Sequence, residues 1–279
     1  MTRLFGIIGH PIDHSLSPIL HTAAFRALGL DALYGAFDVP ATSLRSVLRG
    51  LLLAGIEGLN VTMPLKGTVL PLLDRVDPEA RAIGAVNTIV VRHGRTIGYN
   101  TDGIGFRLAL KELGWRPRPC CAVVLGAGGA ARAVAWELSR VPGGCVAIAN
   151  RQPARARALA RWLSRRRPRV CIRAIPLRAV DLDEADLLVN ATTVGMASSD
   201  GLLVDPRALR RGMTIYDLVY HRQTMLVREA RRRGCVAAGG ASMLRYQAGE
   251  SLRLWLRRPP PLAAMRRALD RALRQHMSP

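Results

Sequence analysis

Lysine is almost missing from this chain. Of 41 Lys and Arg residues only Lys66 and Lys111 are lysines, which leaves 39 arginines. Acidic residues are scarce as well, 20 Asp and Glu against those 41 cations, so the formal net charge is +21. An excess of that size raises nucleic acid, a membrane surface or an anionic small ligand as partners. Aromatic residues are few too, at 5%. The arginine-rich stretch 155–173 holds a single one, Trp162, so the stacking platform of a nucleic-acid face is lacking. The arginines are spread along the chain, with local runs at Arg165–Arg167 and Arg231–Arg233, as expected for an arginine-biased composition on solvated helix faces. Long apolar runs are absent: the stretch Leu4–Ile8 is too short for a signal-peptide core, and nowhere do 18 uncharged apolar residues follow one another. A cytoplasmic protein is expected. The five cysteines, Cys120, Cys121, Cys145, Cys171 and Cys235, are odd in number and contain no C-x-x-C pair, which argues against a disulfide framework or a zinc ribbon. Most stand in apolar strand-like runs and are expected to be buried small hydrophobes in a reducing compartment.

What is present reads as an α/β protein. A chain of 279 residues with 49% hydrophobic and 22% charged content is long enough for two cores. Short β-rich runs alternate with helix-length patterns, beginning with Leu4–Ile8 and a helix near Ser17–Leu28, where Ser17 before Pro18 suits an N-cap. Asn87–Val91 and Thr96–Tyr99 flank a hairpin-like turn at Arg92–Arg95, and Asp102-Gly103 reads as turn chemistry before a helix over Gly105–Leu113. Strands are then expected at Cys121–Leu125, Cys145–Ala149, Asp186–Asn190, Thr214–Val219 and Cys235–Ala238, with helices between several of them. Such alternation predicts a parallel, doubly wound sheet. The tail from Ser242 to Met277 reads as two helices interrupted by Pro259-Pro260-Pro261.

The first motif that carries chemistry is Gly126-Ala127-Gly128-Gly129-Ala130-Ala131, a G-x-G-x-x-A loop between an apolar strand and a helical run. Its first glycine allows the tight turn, its second lets backbone N–H groups approach a pyrophosphate, and the small Ala131 lets helix and strand pack closely. A site for NAD usually ends the next strand with an acid for the ribose 2′-hydroxyl, but here Asn150-Arg151-Gln152 stands there. Arg151, with Arg155 four residues on, can instead pair with a 2′-phosphate through charge-assisted hydrogen bonds, so NADP(H) is the expected cofactor.

Polar clusters punctuate the first hundred residues: Ser15-Leu16-Ser17, Asn60 to Lys66, Gly84-Ala85-Val86-Asn87-Thr88 and Asn100-Thr101-Asp102-Gly103. Each has a local structural explanation. Together, and followed in order by Gly126–Ala130, Asn150-Arg151, Asn190–Met196, Asp217-Leu218-Val219-Tyr220, and Gly240 with Met243-Leu244 and Gln247, they resemble the shikimate dehydrogenases over nearly the whole chain.

That resemblance implies reversible, NADPH-dependent reduction of 3-dehydroshikimate to shikimate, a step toward chorismate and the aromatic amino acids. It implies a substrate-binding domain over residues 1–102, completed by helices within 241–279, and a Rossmann-type NADP-binding domain over 103–240. By the same resemblance Lys66 and Asp102 are the catalytic pair, Ser15 and Ser17 take the substrate carboxylate, and Thr62, Asn87, Tyr220 and Gln247 join Asp102 in holding its hydroxyls. Leu218 and Gly240 fall with Gly126, Ala127, Gly128, Gly129, Ala130, Asn150, Arg151 and Arg155 among the cofactor positions. No metal is implied; the expected partner is a small-molecule substrate, with no specific nucleic acid, no membrane and a homodimer left open. The lysine makes physical sense, because hydride arriving at a ketone puts negative charge on oxygen that an ammonium group can stabilise and protonate. Lys66 is also one of two lysines retained in an arginine-biased chain, although Lys111 shows that retention alone does not diagnose catalysis. Two departures stand out: Gln152 where Thr or Ser is frequent, and no acid before Gly240. His10, His14 and His21 are expected in turn and helix packing. A quinate-acting relative using NAD shares most of these elements, and a noncatalytic NADPH-binding protein or a nucleic-acid binder is the reading from another class.

Overall fold

A computed structural model describes residues 2–277. Phe106–Met243 packs as one compact unit, and the chain before and after it as another. No helix among the described residues is long and apolar enough to cross a membrane.

The first part of the discontinuous unit runs β1 (Arg3–Gly9), α1 (Ser17–Ala27), β2 (Ala32–Asp38), α2 (Leu44–Leu53), β3 (Ile56–Val61), β4 (Arg75–Val76), α3 (Pro78–Ile83), β5 (Thr88–Arg92), β6 (Arg95–Tyr99) and the first turn of α4 (Asp102–Glu112), whose residues from Phe106 on belong to the contiguous unit. Its sheet has the order β2-β1-β3-β5-β6-β4. β1 lies parallel to β2 and β3, whereas β5 is antiparallel to β3 and β6. The β5–β6 turn places His93 at φ 49° and Gly94 at φ 72°, the pair of left-handed residues that matches the twist of a two-residue hairpin. Two expectations are corrected here. Helix α1 starts at Ser17 with Leu16 as its cap residue, so Ser17 is not the N-cap; Ser15 Oγ instead accepts the Ser17 N–H at 3.3 Å. Asp102 is not in a turn but opens α4, where a carboxylate complements the partial positive charge of the helix N-terminus. Its own N–H is taken by Asn100 Oδ1 at 3.1 Å.

The contiguous unit runs β7 (Cys121–Leu125), α5 (Gly129–Leu138), β8 (Cys145–Asn150), α6 (Pro153–Ser164), β9 (Cys171–Pro176), β10 (Leu187–Asn190), β11 (Thr214–Asp217), α7 (Met225–Arg232) and β12 (Val236–Gly239). All neighbours pair in parallel in the order β12-β11-β10-β7-β8-β9. The chain winds outward from β7 to β9, returns beside β7 and winds the other way to β12. This is the Rossmann order, with a topological switch point between β7 and β10 at which ligands bind. Val123, Leu125, Leu188 and Ile215 build the core on one face. β9 was not among the expected strands: it is an edge strand whose residues are half-buried or exposed, so its apolar signal is weak.

The cysteine expectation is largely overturned. Only Cys235 is buried, Cys171 is exposed, and Cys120, Cys121 and Cys145 are half-buried. The physical reason is position, since Cys121, Cys145 and Cys171 pair in register at the starts of β7, β8 and β9, at the rim of the sheet rather than its centre.

Helices α8 (Ala241–Leu256) and α9 (Leu262–Met277) bring the chain back to the first sheet. Trp255 of α8 is buried, with Nε1 donating to Ile89 O at 2.9 Å and its ring 5.1 Å from that of Phe5. At roughly 25 cal/mol per Å² and about 200 Å² of indole, that burial contributes at most about 5 kcal/mol. His21 of α1 lies beneath it, ring centroids 5.0 Å apart, and stacks on Tyr34 at 4.5 Å and 8°. Burial, outweighing an interaction with Asn60, holds the His21 pKa down at about 3, so this ring is a neutral core residue.

Candidate active site

Lys66 follows β3 in a loop held at both ends by backbone hydrogen bonds. Thr62 N donates to Ile8 O at 2.9 Å, and Lys66 O accepts from Val86 N at 2.8 Å, while Leu65 is fully buried and pins the segment. The chain thereby aims Lys66 at the N-terminus of α4, where Nζ meets Asp102 Oδ2 at 2.5 Å. Both side chains are shielded, at 15% and 5% exposure, so the pair is far less screened than an ion pair at the surface. The other carboxylate oxygen, Asp102 Oδ1, accepts from Asn87 Nδ2 at 2.9 Å. Asn87 is buried, and its Oδ1 takes the Thr101 N–H at 2.7 Å.

Helix α8 completes the cluster. Gln247 Oε1 lies 3.1 Å from Asn87 Nδ2. One turn on, Ser251 Oγ contacts Thr88 Oγ1 at 2.7 Å, accepts from Asn60 Nδ2 at 3.0 Å and donates to Gln247 O at 3.0 Å. α8 can come this close because α4 has a glycine at the crossing: a β-carbon on Gly105 would stand 2.7 Å from Gln247 Cβ. Satisfaction of each buried polar atom makes the cluster rigid. Of the expected substrate residues, Asn87, Asp102 and Gln247 are therefore brought together with Lys66. Ser17 reaches the edge of this network through the Tyr34 hydroxyl, which donates to Asn60 Oδ1 at 2.7 Å, whereas among the described residues the side chains of Ser15 and Thr62 make no direct hydrogen bond to it. Tyr220 lies half-buried in the loop after β11, edge-on to His221 at 4.8 Å. Thr101 and Ser251 carry no expected role; the signal for Ser251 was its spacing of four from Gln247, which puts both on one helix face.

In the contiguous unit the loop after β7 fits a dinucleotide. Gly126 stands at φ 119° and donates to Ala149 O at 2.7 Å; a β-carbon there would meet Ala191 O at 2.7 Å. Gly128 is the cap residue of α5, no side chain caps that helix, and open space surrounds the missing Gly128 side chain. Backbone N–H groups at a helix start with no side-chain acceptor suit a pyrophosphate. At the end of β8, Asn150 Oδ1 accepts from Gln152 N at 2.8 Å, leaving Arg151 and Arg155 exposed. Leu218 is half-buried, and the buried Gly240 donates to Val219 O at 2.9 Å. Between them Asp217 is buried and accepts from Asn190 Nδ2 at 2.9 Å, Val219 N at 3.0 Å and Thr224 Oγ1 at 2.7 Å. Its pKa is raised, because desolvation outweighs those donors.

Among known proteins, the NADP(+)-dependent shikimate dehydrogenase of Rubrobacter xylanophilus is 47% identical over 272 residues, covering 96% of each chain. The chain belongs to the shikimate dehydrogenase family. Residues 7–89 match the family model described as the shikimate dehydrogenase substrate binding domain. A crystal structure of a shikimate dehydrogenase in complex with NADP+ superposes with a TM-score of 0.93 at 40% identity, covering 98% of this chain and 96% of that one. The Thermus thermophilus shikimate 5-dehydrogenase in complex with NADP(H) and shikimate superposes at 0.88 and 41% identity, covering 97% and 100%. As a shikimate dehydrogenase family member, the chain carries both the Lys66–Asp102 cluster and the G-x-G-x-x-A loop within the matched length.

Proposed function

We propose that this protein reduces 3-dehydroshikimate to shikimate with NADPH, reversibly, in the cytoplasm, on the way to chorismate and the aromatic amino acids. The observation that carries the reading is the shielded Lys66–Asp102 pair, 36 residues apart in sequence and 2.5 Å apart in space. The reduced nicotinamide, when bound, supplies a hydride. The rest of the chemistry falls to the chain's own side chains. Lys66 as an ammonium stabilises the negative charge that develops on the ketone oxygen and gives it a proton; in the oxidation direction the neutral amine accepts the hydroxyl proton. Asp102, anchored at Oδ1 by Asn87 and through it to Thr101, keeps the amine oriented, so little reorganisation is needed as charge builds. Asn87, Asp102 and Gln247 hold ring hydroxyls together with Thr62 and Tyr220, and Ser15 and Ser17 hold the carboxylate. Arg151 and Arg155 hold the 2′-phosphate, while the Gly126–Ala130 loop, with Asn150, Leu218 and Gly240, holds the rest of NADP.

The test is a spectrophotometric assay of purified protein with shikimate and quinate, each with NADP+ and NAD+. Shikimate with NADP+ should be oxidised much the fastest. Faster oxidation of quinate with NAD+ would reject the substrate assignment.

A further inference from the structure

The β5–β6 hairpin and the C-terminal end of α8 border an open cavity of about 610 Å³. Arg92, Arg253, Arg257 and Arg258 all line it, with Tyr99 beside them. Burial first, and then the neighbouring Arg257, hold the Arg92 pKa below the usual arginine range. Two of the four are already engaged. Arg253 forks onto Glu250 at 2.9 and 2.5 Å. Arg92 donates to Leu254 O at 3.1 Å and to Trp255 O, which quenches the carbonyl end of α8 that would otherwise repel an anion. The side chains of Arg257 and Arg258 make no hydrogen bond or ion pair among the described residues. Exposed arginines without an ion pair among the described residues occur elsewhere, as at Arg45 and Arg49 of α2; Arg257 and Arg258 differ in lining a cavity with an apolar wall.

Arg257 also stands at φ 54°, a helix-ending position where glycine or asparagine is usual, because a β-carbon crowds the backbone there. Strain of this kind gathers at ligand sites. The remaining wall is apolar, built from Val90, Ile97, Leu254 and Pro260.

We propose that this cavity binds a small organic anion, an apolar ring bearing a phosphate or carboxylate, with the ring against Tyr99 and Leu254 and the anionic head on Arg257 and Arg258 in charge-assisted hydrogen bonds. The anionic head lies away from the Lys66–Asp102 cluster, since α8 runs about 14 Å from Gln247 to its end at Leu256. It does not depend on the catalytic reading.

The probes are phenyl phosphate, benzoate and inorganic phosphate, titrated calorimetrically into the full-length protein with saturating shikimate alone and, separately, with saturating NADP+ alone. One phenyl phosphate should bind per chain in both arms, and the benzoate arm decides which head group the site prefers. Arg257→Ala with Arg258→Ala should weaken that binding at least tenfold and leave turnover unchanged. Arg45→Ala with Arg49→Ala, two exposed arginines of α2, removes the same charge and should leave binding intact. Absence of binding, displacement by shikimate or NADP+, or equal loss in the two double variants would overturn the proposal. Inorganic phosphate binding as tightly as phenyl phosphate would overturn the role given to the apolar wall.

Discussion

Acid should destabilise the discontinuous unit through one ring. His21 is fully buried, and the groups facing it are Tyr34, Phe25, Trp255 and Asn60, none of them charged. Its pKa falls from 6.5 in the unfolded chain to about 3 in the folded one. Between those values the unfolded chain binds a proton that the native state refuses, so the stability contributed by the neutral ring is complete above pH 6.5 and is lost as the pH falls toward 3. At about 1.36 kcal/mol per unit, lowering the pH from about 7.5 to about 5 should remove about 2 kcal/mol through His21 alone. His21→Phe keeps an aromatic ring against Tyr34 and removes the titration. Urea unfolding of wild type and variant at both pH values, followed by Trp255-sensitive fluorescence, gives the difference, and carboxylates common to both proteins cancel. Equal losses in the two proteins, or a His21 ring whose NMR signal titrates near 6.5 in the folded state, would refute the reasoning.

Lys66→Ala should lower kcat by at least about a hundredfold while NADPH affinity stays within about twofold; near-normal turnover would remove its general acid role. Arg151→Ala should weaken NADPH by about tenfold and leave NADH nearly unchanged, since only the former carries the 2′-phosphate; equilibrium fluorescence titration of both cofactors reads the difference, and equal losses would cancel the assignment. Gly126→Ala places a β-carbon 2.7 Å from Ala191 O at φ 119°, so NADP+ affinity should drop at least about tenfold with a lowered Tm, as measured by calorimetry and thermal unfolding.

The parallel sheet was legible because its strands are apolar runs punctuated by glycines, and the turn at His93-Gly94 because few residue pairs tolerate two left-handed conformations. β9 escaped because an edge strand with arginine on it has no apolar stripe. The helix starts at Ser17 and Asp102 were misplaced by one to three residues, since polar residues there serve equally as cap, first turn or loop. The cysteines misled because apolar neighbours in sequence do not distinguish the centre of a strand from its rim. The polar clusters of the first hundred residues were visible individually, each with a local explanation. That Lys66 and Asp102 meet is a product of β3, β5 and β6 folding side by side, which no local spacing encodes; only the ordered resemblance pointed to it.

Gln247 and Ser251 come late in translation, more than 140 residues after Asn87 and Thr101. While the ribosome is still making the Rossmann sheet, the nascent amino-terminal segment has neither α8 to satisfy Asn60 and Asn87 nor Trp255 to cover His21. A stalled chain ending at Met243 should therefore leave its first hundred residues open to pulse proteolysis while Phe106–Met243 resists. Competence for chemistry would then arrive only with the last 36 residues, so a truncated translation product should bind the dinucleotide and turn nothing over.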